Sequence, residues 1–135
     1  MLFLSCGDDG KLKIWDLRTS SSSTDCASSH VNCFEDSSES KYEFLTADIN
    51  SNDHLLIVGT NQVIDSSYIY IFDVRFSSKY LFKLNESHSG DIMQVKCDPI
   101  VPNRFASGGI DGLVCLVSLY IRNNLGCLLK YFFAL

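Results

Sequence analysis

Short apolar runs separated by small polar residues dominate the pattern of the chain. The runs at 69–72 and 113–117 are rich in β-branched and aromatic residues, and clusters of Gly, Asn, Asp and Ser bound them. No long stretch of the sequence repeats its apolar residues at the helical spacing i, i+3, i+4, i+7. The pattern therefore predicts an all-β chain, with strands near 2–5, 11–16, 42–49, 54–59, 68–74, 79–84, 91–97, 104–107 and 113–118.

Asp-Gly pairs predict tight turns within two of these strand pairs. Asp9-Gly10 and Asp111-Gly112 each stand just before an apolar strand. Glycine takes positive φ without steric cost, and tight hairpin turns require such residues. A rhythm of short strands and turns suits a β-sandwich as well as a β-propeller, so another feature has to decide between them.

An internal repeat favours the propeller. Its unit is a small-residue strand end, an Asp-bearing turn, and an apolar strand that ends in an aromatic-Asp pair or a degenerate form of it. The copies occupy 4–18, 56–75 and 106–119. Asp9 precedes Trp15 by six residues, as Asp111 precedes Val117, whereas the second copy has a longer turn after Gly59. A unit that recurs roughly every 40–50 residues is the signature of a repeat array.

The three copies resemble WD repeats. The signature positions are Ser5, Asp9, Trp15 and Asp16 in the first copy, Phe72 and Asp73 in the second, and His88, Ser107 and Asp111 in the third. The resemblance implies that Asp, His, Ser and Trp form a buried hydrogen-bond network with a structural role. Val117 replaces the Trp of the third copy, and the first copy would have its His before residue 1. Ile57 stands in place of the Ser of the second copy, so we expect that network to be lost.

The resemblance also implies a β-propeller of four-stranded blades. The chain would hold a partial WD-repeat propeller over 1–118, with blade remnants at about 1–35, 36–84 and 85–118, and a divergent apolar tail at 119–135. Propellers close with about 4–8 blades, so three leave the ring open. We therefore expect a fragment of a longer protein or a non-functional truncated gene product. The tail is either readthrough sequence or a genuine outer strand.

WD repeats are typical of protein–protein interaction scaffolds without catalysis, and that is the expected function. Rigid blades position variable loops, and loops carry binding. One rim would hold 8–10, 61–67, 86–91 and 110–112, and the other would hold 18–30, 51–53, 75–78 and 98–103. A narrower resemblance, to the WD repeat-containing protein 89 group, rests on 48–60 and 88–95.

Two arginines are candidates for partner binding. Residues 3–18 resemble the box of substrate receptors for cullin-RING ubiquitin ligases, in which an Arg after the third strand helps to engage a propeller adaptor. Arg18 matches that Arg, and Arg75 ends a second, partial copy. The alternative is that each Arg pairs locally, because Asp-x-Arg follows the third strand in many WD repeats.

Composition and cysteine spacing limit the kinds of partner that the chain could bind and the cellular compartments that suit it. The net charge is −5 and the pI about 5.0, which argues against nucleic-acid binding by a clustered basic surface. The tail is too short, and too interrupted by Lys130, for the ~20 residues of a membrane span. The six cysteines include no Cys-x-x-Cys pair and suit the cytoplasm or nucleus. The Ser-rich stretches at 19–29 and 36–40 are either flexible linkers or phosphorylation sites.

The sequence predicts no metal, cofactor or catalytic site. The three histidines are scattered without ligand spacing. The glycine-rich run at 107–112 lacks the Lys-Ser/Thr of a phosphate-binding loop. His88, Ser107 and Asp111 could be mistaken for a catalytic triad, but the repeat already accounts for them, and a triad is recognised by geometry.

Overall fold

A computed structural model describes residues 2–16, 30–36, 42–76, 79–122 and 125–134 of the chain. These ranges contain no helix and form eleven strands in three antiparallel sheets. The first sheet comprises β1 (Leu2–Cys6), β2 (Lys11–Asp16) and β3 (His30–Glu35). The second comprises β4 (Phe44–Ile49), β5 (Leu55–Thr60), β6 (Ile69–Asp73) and β7 (Tyr80–Leu84). The third comprises β8 (Ile92–Cys97), β9 (Arg104–Gly109), β10 (Leu113–Arg122) and β11 (Leu125–Ala134).

Each sheet meanders, because every strand pairs with the next strand along the chain. The two Asp-Gly turns form as predicted: Gly10 has φ 67° and Gly112 has φ 76°. The longer loop of the second sheet contains its own two-residue turn, in which Val63 N donates to Ser66 O at 2.8 Å. Ile64 and Asp65 at its tip both have positive φ. The all-β class and the nine predicted strands are confirmed.

Two strands were not predicted. β3 is rich in polar residues and pairs with β2 through a register shift at Ile14/Trp15. β11 pairs with β10 along its whole length, from Leu113↔Ala134 to Arg122↔Leu125. Residues 125–134 of the expected apolar tail therefore form an outer strand of the third sheet.

Two apolar clusters hold the three sheets together. The first lies between the first and second sheets and includes Leu12, Phe34, Phe44, Tyr70 and Phe72. The second lies between the second and third sheets and includes Ile57, Ile71, Ile92, Phe105 and Val117. The second sheet contributes to both clusters because its strands are apolar on both faces: β5 and β6 are buried at every residue. A sheet covered on both faces is the arrangement expected of a propeller blade between two neighbours.

Polar side chains of β4 also tie the second sheet to the third. Thr46 Oγ1 accepts from Val95 N at 3.2 Å, and Asp48 Oδ2 accepts from Cys97 N at 2.9 Å. Asn50, just after β4, is buried; its Nδ2 donates to Pro102 O at 2.9 Å and its Oδ1 accepts from Leu55 N at 2.8 Å. These bonds fix the neighbouring innermost strands β4 and β8 in register, so the loops at both ends of the sheets are held in defined positions.

Candidate functional site

The loops gather at two opposite rims, because consecutive antiparallel strands place alternate connections at opposite ends of a sheet. We define the upper rim as 7–10, 61–68, 85–91 and 110–112, and the lower rim as 50–54, 74–76 and 98–103. At the upper rim, Asp91 Oδ1 accepts from Gln62 N at 2.7 Å and Asp91 O from Ile110 N at 3.0 Å. The described loops therefore group as the sequence predicted. Residues 18–29 of the expected lower rim lie outside the described ranges.

Three of the predicted signature residues meet in the third sheet. His88 Nδ1 lies 3.1 Å from Asp111 Oδ1, and His88 Nε2 lies 2.9 Å from Ser107 Oγ. The tight turn before β10 places Asp111, β9 places Ser107, and the loop before β8 places His88. Asp111 also accepts from the backbone N of Ser89 at 2.9 Å and of Leu113 at 3.1 Å. One carboxylate thus ties the loop before β8 to the turn before β10.

Hydrogen bonds decide the ionisation of Asp111. Burial raises the pKa of this carboxyl, but donation from Ser89 N, Leu113 N and His88 outweighs burial, and the pKa lies below its usual value. Asp111 is therefore a carboxylate at neutral pH, with donors for both oxygens. A buried charge held in this way stabilises the fold rather than serving as an acid or base.

The order Asp111–His88–Ser107 matches that of a catalytic triad. The His88 side chain is 0% exposed, however, and Ser107 is 2% exposed. A nucleophilic serine needs room for a substrate carbonyl about 3 Å from its Oγ, and burial leaves none here. The packing around Gly109 encloses the network further: a Cβ on Gly109 would lie 2.6 Å from His88 Nδ1 and 2.7 Å from Asp111 Oδ1.

The first sheet carries part of the same pattern. Trp15 Nε1 donates to Ser5 Oγ at 2.8 Å, and Asp9 Oδ1 accepts from Lys11 N at 3.1 Å. Asp16 ends β2, opposite Leu2 of β1. The structure therefore brings Trp15 and Ser5 together, while Asp9 caps its own turn.

The second sheet replaces the network with apolar packing. Ile57 occupies the position of the expected Ser and lies in the cluster shared with the third sheet. Phe72 is 1% exposed, and the buried Asp73 follows it at the end of β6. Asp73 accepts from Arg75 Nε at 2.9 Å and from Arg75 Nη2 at 2.6 Å. This hydrogen bonding lowers the pKa of Asp73 and raises that of Arg75. Local pairing was the alternative stated for Arg75; Arg18 lies outside the described residues.

An open groove at the lower rim contains Arg75. Its volume is about 430 Å³. It lies where the end of β6, the start of β7 and the loop before β5 approach the third sheet. Its lining combines amides, one ion pair and apolar side chains: Asn50, Asn52, His54, Leu55, Asp73, Arg75, Phe76, Leu81, Phe82 and Asn103. Sequence reasoning singled out Arg75 and Asp73, and it placed the loops that carry Asn52, Phe76 and Asn103 on this rim. The other lining residues share no motif that could have identified them.

A second ion pair shapes the lower rim next to this groove. Asp98 Oδ1 accepts from Ile100 N at 2.8 Å and Val101 N at 2.9 Å, and its Oδ2 accepts from Arg104 Nε at 2.7 Å. These bonds, led by the one from Val101, lower the pKa of Asp98 to about 2. The loop 98–103 is therefore tied to the first residue of β9 by a group that stays ionised well below neutral pH.

This arrangement predicts a pH-dependent contribution to stability. The folded pKa of Asp98 is depressed from an ordinary 3.8 to about 2. Its contribution should therefore be fully present above pH 4 and lost as the pH falls towards 2. An NMR titration of the Asp98 carboxyl should give a midpoint near 2 in the folded chain, and Asp98→Asn should weaken the pH dependence of stability in that window. A midpoint near 4 would contradict the hydrogen bonding described for the loop.

The described ranges were also compared with the requirements of a metal site, a membrane-spanning helix and a reactive cysteine. These residues contain no group of three or more His, Cys, Asp or Glu side chains that could hold a metal ion. Within the same ranges, no helix has the length and apolarity needed to cross a bilayer. Cys6, Cys33 and Cys97 are free thiols, and the buried Cys115 thiol donates to Ser87 O at 3.0 Å. Burial raises the pKa of Cys97 to about 12, so this thiol stays protonated and unreactive at neutral pH.

Relatives of the chain carry WD repeats by name. No family model matches the chain. It is 28% identical over 116 residues to the WD repeat-containing protein 89 homolog of Dictyostelium discoideum, covering 86% of this chain and 27% of that protein. It is 30% identical over 112 residues to the WD repeat-containing protein GTS1 of Arabidopsis thaliana, covering 83% of this chain and 25% of that protein. The chain thus spans about a quarter of the length of each.

Solved structures with similar folds are propellers. The β-propeller domain of Cps50 (Swd1) from Myceliophteria thermophila matches with a TM-score of 0.68 at 15% identity, covering 97% of this chain and 35% of that domain. A chain of the COPII outer coat vertex on membranes matches with a TM-score of 0.72 at 22% identity, covering 87% of this chain and 29% of that chain. The predicted partial propeller is thereby confirmed at the level of the fold.

Proposed function

Because the chain consists of WD-repeat β-propeller blades, we propose that it is a protein–protein interaction scaffold that performs no catalysis and acts in the cytoplasm or nucleus. The names of the relatives and the coat-vertex neighbour support a role in binding proteins. Among the described residues, His88 and Ser107 of the triad-like arrangement are buried, whereas the rim loops present exposed side chains.

The lower-rim groove is the observation that carries this proposal. Phe76 is 63% exposed beside the groove, and the side chain of Arg75 is 61% exposed with its guanidinium 5.7 Å from the Phe76 ring centroid. Aromatic residues and arginine are enriched in protein interfaces, and Arg is among the residues that dominate binding energy. Here Asp73 holds the guanidinium in place, so little side-chain entropy would be lost when a partner binds.

Substitutions at the groove should weaken partner binding without unfolding the chain. A photo-crosslinking amino acid at position 76 of the chain in cells should capture a protein, and one at exposed Asp8 on the upper rim should not capture the same protein. For the captured partner, Arg75→Glu should weaken binding at least about thirtyfold, because it removes a cation and repels Asp73. Its affinity can be measured by calorimetry. Equal affinities of both forms would rule out this surface as the binding site.

The substrate-receptor role in a cullin-RING ligase is a second candidate. It draws support from the position of Arg75, which is exposed just after β6, the third strand of its blade. Its pairing with Asp73 occupies two of the five guanidinium donors, so an adaptor would have to use the remaining ones. A purified propeller adaptor should bind the unsubstituted chain, and it should not bind a variant in which the charges of both Arg18 and Arg75 are reversed. Unchanged adaptor binding would exclude the role and leave the general scaffold proposal intact.

A further inference from the structure

One ammonium group lies among three aromatic rings on the outer side of the upper rim. The Nζ of Lys83, in β7, is 4.2 Å from the ring centroid of Tyr68, 5.0 Å from that of Tyr70 and 5.2 Å from that of Tyr42. Energetically significant cation–π contacts occur about once per 70–80 residues, so three rings around a single cation is unusual. We refer to Tyr42, Tyr68, Tyr70 and Asp36 together as the tyrosine cage.

A carboxylate completes the tyrosine cage. Asp36, just after β3, lies with Oδ2 3.3 Å from Lys83 Nζ and 2.5 Å from the Tyr70 hydroxyl, which donates to it. The Asp36 side chain is 6% exposed, and that of Lys83 is 22% exposed. Burial and this hydrogen bond raise the pKa of Tyr70, so its ring stays neutral. The cage thus offers three ring faces and one anion, and it is open to solvent on one side.

The cage is poorly matched to the group that occupies it. An ammonium has three N–H donors and is strongly hydrated in water. Among the described residues, Asp36 is the one hydrogen-bond acceptor that Lys83 Nζ reaches. A dimethyl- or trimethylammonium group has one N–H donor or none. It is less strongly hydrated than an unmethylated ammonium, and its positive charge is still attracted to the ring faces. Binding of quaternary ammonium groups is the known use of such aromatic surroundings.

We propose that the tyrosine cage is a binding site for a methylated ammonium group, and that Lys83 is its internal occupant, displaced when the ligand enters. Tyr68 would form the main ring face, since it is the closest of the three to the cation and only partly buried. Asp36 would supply the counter-charge. Lys83 is able to leave because its four-carbon stem is flexible and its side chain is 22% exposed. The proposal concerns the tyrosine cage alone and does not depend on the lower-rim groove.

Removal of Lys83 should therefore open the site. Tetramethylammonium titrated into the full chain, followed by NMR of the tyrosine rings, should bind Lys83→Ala at least about tenfold more tightly than the unsubstituted chain. Adding Tyr68→Ala should abolish the binding. Lys96→Ala removes an exposed lysine elsewhere and should leave binding as in the unsubstituted chain. Sodium chloride at equal ionic strength should produce no saturable shift.

A second measurement holds even where Lys83→Ala does not fold. In the unsubstituted chain, saturating tetramethylammonium should move the Lys83 Cε resonance to its value in a solvated lysine. Tighter binding of a trimethyllysine peptide than of choline would assign the ligand to a protein, and the reverse would assign it to a small quaternary amine; either supports the cage. The proposal fails if folded Lys83→Ala shows no saturation, or if Lys83 stays in place at the highest concentration.

Discussion

Phe72→Ala is expected to lower the free energy of unfolding by about 3–5 kcal/mol, the usual cost of deleting a large buried aromatic side chain. Phe72 is 1% exposed at the aromatic position of the second repeat. Its ring packs at 5.5 Å from that of Phe34 in the first sheet and at 6.4 Å from that of Phe44 in its own. The substitution would leave a cavity between two sheets, and rigid strands on both sides can collapse into it only in part.

Phe76→Ala provides the matched control. It deletes the same ring four positions later, where the side chain is largely exposed, so stability should change by no more than about 0.5 kcal/mol. Urea unfolding of the full chain, followed by the fluorescence of its single Trp, measures both. Similar losses for the two variants would mean that the first and second sheets do not pack as described. The same Phe76→Ala variant should weaken partner binding. A loss of binding without a loss of stability would distinguish the role of the groove from that of the apolar core.

Asp111→Ala should destabilise the chain by about 2–4 kcal/mol. It removes the acceptor of three donors at once, namely the backbone N of Ser89 and Leu113 and the ring Nδ1 of His88. The His88 ring is buried, so its Nδ1 donor would lose its partner at a cost of about 1–3 kcal/mol, whereas the exposed Ser89 N could bond to water. Hydrogen bonds to a charged group are the stronger ones, which adds to the loss. Asp8→Ala, in the corresponding turn of the first sheet, changes an exposed carboxylate and should cost less than about 0.5 kcal/mol.

The pH dependence of this pair of variants gives an independent check. The folded pKa of Asp111 is below its ordinary value of 3.8. The stability that this group contributes is therefore present above about pH 4 and lost as the pH falls through the folded pKa. Asp111→Ala should flatten the stability profile in that acid range, whereas Asp8→Ala should leave it unchanged. An unaltered profile in Asp111→Ala would mean that the carboxylate is not held by the three donors.

The sequence by itself determined the features that depend on near neighbours. Short apolar runs rich in β-branched and aromatic residues predicted β6 and β10, because such side chains suit a strand that is buried in a sheet. Asp-Gly pairs predicted two tight turns, because the ability of glycine to adopt positive φ without steric cost is a property of that residue alone. The repeat predicted that His88, Ser107 and Asp111 would meet, and the structure brings them within hydrogen-bond distance.

Only the tertiary structure decided what depends on surfaces brought together from distant segments. Three of the six residues of β3 are polar, so no continuous apolar run marks this strand, and its pairing with β2 reveals it. The lower-rim groove likewise joins residues from four separate segments. The tyrosine cage joins positions 36, 42, 68, 70 and 83, which no local motif connects. These residues meet because the first sheet packs against the second. The free energy gained on burying a side chain depends on the surface that the opposing sheet presents, and a local stretch of sequence does not contain that surface.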